Sequence, residues 1–121
     1  MKKRLAIVSV PVSNQKKARD FYVDVMGFVL LREQPMGKEQ KWVQLALPED
    51  DTSITLVTWF DTMPAGSLRG AVINTNDIET YHAELVGKGA APSKIATAPW
   101  GRHFTLADPD GNGWVVQQNP V

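Results

Sequence analysis

The chain has no cysteine among its 121 residues. That absence removes disulfides, thiolate metal ligation and a Cys nucleophile together, and it suits a reducing, cytoplasmic setting. Net charge is also lacking, because 13 basic and 13 acidic side chains cancel. No overall field therefore recruits nucleic acid or anionic lipid, and Lys2-Lys3-Arg4 is too short a cluster to change that. No apolar run approaches the roughly 20 residues of a membrane span. Leu5 to Val12 follows a basic start, but it is short, broken by Ser9 and Pro11 and followed by polar residues, so it reads as a strand and not as a signal peptide. There is no Gly-x-Ser-x-Gly elbow and no phosphate loop, which leaves a serine hydrolase or an NTPase without an anchor. Gly87-Lys88-Gly89 follows a helix and has Pro92 where a third glycine would stand, so it is a helix stop and not a dinucleotide fingerprint. The partners left are a small organic molecule or another protein, with no nucleic acid and no membrane.

What is present is an ordered series of short elements. In Leu5 to Val12, alternation puts Ala6, Val8, Val10 and Val12 on a core face and Ile7, Ser9 and Pro11 on the other. Ala18, Phe21, Tyr22, Val25 and Met26 recur at amphipathic-helix spacing, with Ser13 or Asn14 as N-cap and Gly27 as the stop. Strands are expected at Phe28 to Glu33, Lys41 to Leu47 and Ser53 to Trp59. Turn formers Gln34-Pro35-Met36-Gly37 and Pro48-Glu49-Asp50-Asp51 separate them. Asp61 to Leu68 is too brief to hold separate cores apart and acts as a connector.

The order then restarts. Arg69 to Thr75 is a strand, and Asn76 or Asp77 caps a helix with the stripe Ile78, Tyr81, Leu85 and Val86. Lys94 to Thr97 is a short strand, and Arg102 to Ala107 with Trp114 to Gln118 form a hairpin across Asp108-Pro109-Asp110-Gly111. Asp108, Asp110, Asn112 and Gly113 also fit the opening of a calcium loop. The match fails at position twelve, where Asn119 replaces a bidentate Glu, and at the strand-like Val115-Val116. The expected architecture is α+β: one domain over residues 1–121, built of two βαβββ modules, 1–60 and 69–121, joined by connector 61–68. The repeat rests on element order, since the halves share little identity.

Two segments carry a resemblance: Phe21-Tyr22-Val23-Asp24-Val25-Met26-Gly27-Phe28 at the end of the first helix, and the hairpin Asp108-Pro109-Asp110-Gly111-Asn112. With the restarted order between them, the chain resembles the vicinal oxygen chelate superfamily of glyoxalase I, fosfomycin and bleomycin resistance proteins and extradiol dioxygenases. The resemblance implies a mixed sheet curled around a cleft, commonly completed by a second subunit, hence a homodimer. It also implies a divalent metal, held by inward residues on the first and last strands of each module. Those positions fall on Ile7, Gly70 and Val115, none of which offers a lone pair, and Ile54 to Trp59 holds no His or carboxylate in any register. No metal and no cofactor are expected, and glyoxalase I or dioxygenase chemistry of the usual kind is disfavoured.

Candidate ligand contacts follow from the strand faces. Phe104 and Leu106 belong under the helices, which turns His103, Thr105 and Ala107 to the concave side. There His103 is a hydrogen-bond donor, a general base or simply a packed histidine, since no carboxylate partner can be assigned from sequence. His82, beside an apolar helix stripe, is read as structural. Trp42 and Gln44 alternate with core residues Val43, Leu45 and Leu47 and supply an aromatic wall and an amide. Ser9 and Gln117 are polar on faces that line the cup. Trp59 and Trp100 flank strand ends, where they roof a ligand or pack a subunit seam. The expectation is a metal-independent protein that binds a small organic molecule through Ser9, Trp42, Gln44, Trp59, Trp100, His103, Thr105 and Gln117. Two alternatives stay open. One is a glyoxalase-like lyase or isomerase using His103 or an atypical metal site. The other is an antibiotic-sequestering resistance protein, for which a neutral chain lacks the acidic groove that strongly cationic drugs would need.

Overall fold

The computed structural model describes residues 1–118. The final three residues of the expected second module, including Asn119 of the calcium-loop match, lie outside the described residues. The first module runs β1 (Ile7–Pro11), α1 (Gln15–Asp24), β2 (Val29–Met36), β3 (Gln40–Ala46) and β4 (Ser53–Val57). The second runs β5 (Ala71–Asn74), α2 (Ile78–Gly87), β6 (Ala96–Ala98), β7 (Gly101–Ala107) and β8 (Gly113–Gln118). Each set of strands makes a four-stranded mixed sheet, in the orders β1-β4-β3-β2 and β5-β8-β7-β6. The two βαβββ modules expected from the sequence are therefore present, as two separate sheets that do not close on each other. No helix among the described residues is long and apolar enough to cross a membrane.

Local chemistry sets the helix starts. Asn14 caps α1, its side chain accepting from the Lys17 N–H at 2.9 Å, while the Ser13 hydroxyl is drawn away to Asp110 at 2.6 Å. Asp77, not Asn76, caps α2. Hydrogen bonds from the Thr80 hydroxyl and N–H hold its carboxyl below the usual range.

Several boundaries differ from expectation. Gln34-Pro35-Met36, expected as a turn, continues β2. Pro35 is tolerated because β2 is the outer strand of its sheet, where a missing N–H costs no ladder bond. β4 stops at Val57, which leaves Trp59 outside it. β5 is trimmed at both ends, following Gly70 at φ +83°, and β6 lies two residues further along than its pattern suggested at its start.

One apolar cluster spans both modules, with Val10, Leu45 and Leu56 from the first joined to Ile78, Phe104 and Val116 of the second. The contact between modules is aromatic and polar at once. Tyr22 packs edge-to-face on Phe28 and Trp114, with ring centroids 5.4 and 5.9 Å away. Its hydroxyl donates to Asp108 Oδ2 at 2.7 Å and accepts from Trp114 Nε1 at 2.9 Å. Asp108 also accepts from Asn112 Nδ2 and from the backbone N–H groups of Asp110 and Asn112. Asn112, fully buried, donates to the Pro11 carbonyl at 2.7 Å and accepts from Leu68 N–H at 3.0 Å. The two segments that carry the resemblance thus meet in one buried network. Gly66 completes the junction, since a Cβ there would sit 2.0 Å from the Asp110 carbonyl oxygen.

Removing one member of this network strands its partners. Tyr22→Phe is expected to cost about 2 kcal/mol, and Asp108→Ala about 3 kcal/mol or more, because several buried donors lose their acceptor. Urea midpoints measure both, and an Asp108→Ala protein as stable as the native one would refute the role given to this carboxylate. Burial and then the Asp108 charge push the Tyr22 hydroxyl far above its ordinary range, and burial with Glu84 pushes Tyr81 up to about 12. Both groups are raised above their unfolded value of about 10, so the stability they contribute is whole below that pH and declines as pH rises beyond it. Tyrosinate absorbance should appear well above pH 10 and together with loss of structure.

Candidate functional site

Side-chain alternation divides each sheet into a face packed on its helix and an open face. In the first module, parallel pairing sets Ser9 beside Thr55, and antiparallel pairing sets Thr55 beside Gln44 and Gln44 beside Arg32. A polar row therefore crosses the open face. Within it, Trp42 Nε1 donates to Gln44 Oε1 at 3.1 Å, and Gln44 Nε2 donates to Ser53 Oγ at 2.8 Å. Ser53 in turn donates to the Ala6 carbonyl, and Ser9 and Thr55 hydroxyls stand 3.4 Å apart. These bonds fix the amide of Gln44 and the plane of the Trp42 indole. Arg32 brings the one charge of this row, at its outer edge, whereas Glu33 meets Arg19 of α1 at 2.8 Å, and that guanidinium holds the Glu33 carboxyl below its usual range.

The second module repeats the device with other residues. His103 pairs with Gln117, and Gln117 with Asn74, whose Oδ1 accepts from Gln117 Nε2 at 2.7 Å. Trp100, at the tip of the β6–β7 hairpin, stacks on the His103 ring with centroids 4.5 Å apart and planes 29° apart. Thr105 lies two residues along the same face, opposite Val115. Arg102, on the helix side, pairs with Glu79 at 2.7 Å. Both open faces therefore combine aromatic rings with neutral donors and acceptors, with Arg32 the one charge at the edge of the first.

Of the eight anticipated contacts, Ser9, Trp42 and Gln44 share the first open face, and Trp100, His103, Thr105 and Gln117 share the second. No hydrogen bond joins the two groups among the described residues. Trp59 belongs to neither strand row. It lies past the end of β4 with its ring tilted against Phe60. His82 is structural as expected, Nε2 lying 2.8 Å from the Ser93 carbonyl and the ring edge-on to Phe104. Sequence reasoning missed Ser53, Thr55 and Asn74. The polar–apolar alternation of Ser53-Ile54-Thr55-Leu56 was the available signal for the first two.

The positions where the resembled family holds a metal do not suit one here. Ile7 ends in methyl groups, Gly70 has no side chain, and Val115 lies beside Val72. Among the described residues no three His, Cys, Asp or Glu side chains gather as a metal site.

A cavity of about 730 Å³ lies in the seam between modules. Val8, Phe28, Ile54, Ile73 and Trp114 line its depth. None of the eight anticipated residues borders it. Its deep walls are hydrocarbon and ring; of its polar side chains, Asp50 and Arg69 are on exposed loops and Asn74, exposed at the end of β5, is bonded to Gln117, so little in its depth would orient a ligand.

A family model described as the Glyoxalase/Bleomycin resistance protein/Dioxygenase superfamily matches residues 4–116. The chain is similar to TnmS3, an antibiotic binding protein from Streptomyces sp. CB03234, at 44% identity and a TM-score of 0.93, covering 98% of each chain. It is also similar to a glyoxalase/bleomycin resistance protein of the same organism, at 47% identity and a TM-score of 0.86, over 95% of this chain and 100% of that one. YetH of Bacillus subtilis (strain 168) is 28% identical, covering 98% of this chain and all of its own length.

Proposed function

Because the chain belongs to the Glyoxalase/Bleomycin resistance protein/Dioxygenase superfamily, we propose that it works in that family as a metal-independent protein that binds a small organic molecule and holds it unconverted. The observation that carries this is the pairing of a fixed ring with a fixed neutral amide on each open face: Trp42 with Gln44, and His103 with Gln117. Such pairs recognise a neutral molecule with flat apolar surface and a few polar substituents. Metal independence is supported by the side chains at Ile7, Gly70 and Val115. Likeness to TnmS3 supports an antibiotic-type ligand, and strand faces that carry no carboxylate and have Arg32 at one edge favour an uncharged compound over a cationic drug.

Each open face forms only half of a cleft. Ile7, Val29 and Val72 remain 40%, 47% and 52% exposed, a large apolar area for sheet faces of one subunit. We assign this surface to a second copy of the chain, giving a homodimer in which facing modules enclose the ligand. A chain with no cysteine suits the cytoplasm as the place where it works.

A panel of uncharged antibiotics and metabolites screened by thermal shift should contain compounds that raise the melting temperature, with the effect unchanged after chelator treatment. Trp42→Ala should weaken such a compound about tenfold or more, whereas Leu5→Glu, which places a charge at the mouth of the seam cavity, should leave its affinity unaltered. The reverse pattern would move the site into the seam. Sedimentation should give a dimer that Val72→Glu converts to a folded monomer, and a native protein monomeric at high concentration would remove the shared cleft.

A further inference from the structure

The Nδ1 atom of His103 is buried and has no hydrogen-bond partner among the described residues. It is the one buried side-chain nitrogen or oxygen there in that condition. Nε2 forms no bond to the described residues either, but it is not enclosed, so it is the ring nitrogen left to the open face. A neutral imidazole carries its proton on one nitrogen only. Placed on Nδ1, the proton would make a buried donor with no acceptor, the rarer and costlier kind of orphan. On Nε2 it can meet solvent or a ligand, while the Nδ1 lone pair faces its surroundings unused. The environment therefore selects the Nε2–H tautomer.

Trp100 fixes the direction of that donor. Its indole covers one face of the imidazole at 4.5 Å, and its own hairpin is held by pairing of Ala98 with Gly101. One N–H of the neighbouring Gln117 amide is committed to Asn74, so the imidazole N–H stands beside an amide whose orientation is already set. A general base at Nε2 would need its lone pair there, and shifting the proton to Nδ1 creates the orphan just described.

We infer that His103 is a hydrogen-bond donor through Nε2–H, held by Trp100 as a positioning residue, and that the ligand meets it with a carbonyl-type oxygen. This rests on the small-molecule function proposed above and names the chemistry of its ligand: a neutral, largely planar compound bearing a ketone, quinone or amide oxygen.

Two measurements test it. Long-range proton–nitrogen NMR of the native protein should find His103 protonated at Nε2, independently of any ligand, and a proton on Nδ1 would overturn the inference. 9-Fluorenone and fluorene then form a planar pair with and without the acceptor oxygen. Fluorenone should bind about tenfold or more tightly than fluorene. His103→Phe should abolish that preference, Trp100→Ala should reduce it, and Trp100→Phe should restore it. Equal affinities in the native protein, or a preference that survives in His103→Phe, would refute the assignment. Binding of neither compound would also refute this ligand class, whereas the antibiotic panel would still decide whether the protein is a binder at all.

Discussion

A single buried carboxylate ties this molecule together. Asp108 gathers a phenol from the first module, an amide from its own hairpin and two backbone N–H groups, while Asn112 reaches back to the end of the first strand. A charge this enclosed is tolerable only when its lone pairs are filled, and that condition fixes the angle of α1 against the hairpin. The angle in turn places two sheets side by side without hydrogen-bonding them, so their far faces remain free. Everything suggested about recognition depends on those faces being free.

Division of labour between faces follows from the strand repeat. The buried residues turned to the helices are aliphatic or aromatic and make one core. Their immediate neighbours carry rings and amides that satisfy one another and still present surface. Charge is sent to the helix side or to the rims, as Glu33 with Arg19 and Arg102 with Glu79 illustrate. A face organised in this way has little electrostatic reach and selects by shape and by the direction of a few N–H and C=O groups.

Much of this was legible in the amino-acid order. Both helices, the restarted order of elements and the face assignments of β3, β7 and β8 follow from alternation and caps, because burial on one side imposes a strict period. The failures have physical causes. Pro35 argued for a turn, yet an outer strand can absorb a residue without an N–H. Trp59 continued an apolar run, but the pairing that defines β4 ends two residues earlier. The grouping of site residues was legible within a module and not between modules, since no local pattern encodes how two sheets face each other. The tautomer of His103 was beyond sequence altogether, because it depends on the absence of a neighbour at one atom.

The position of Pro35 on the outermost strand has a consequence for how copies can associate. An unpaired sheet border invites stacking of further strands without limit, the route to fibres. A pyrrolidine ring near the end of β2 interrupts the row of N–H groups that such growth would use, as does the irregular register between Leu30 and Arg32. Strand addition along this border is thereby hindered.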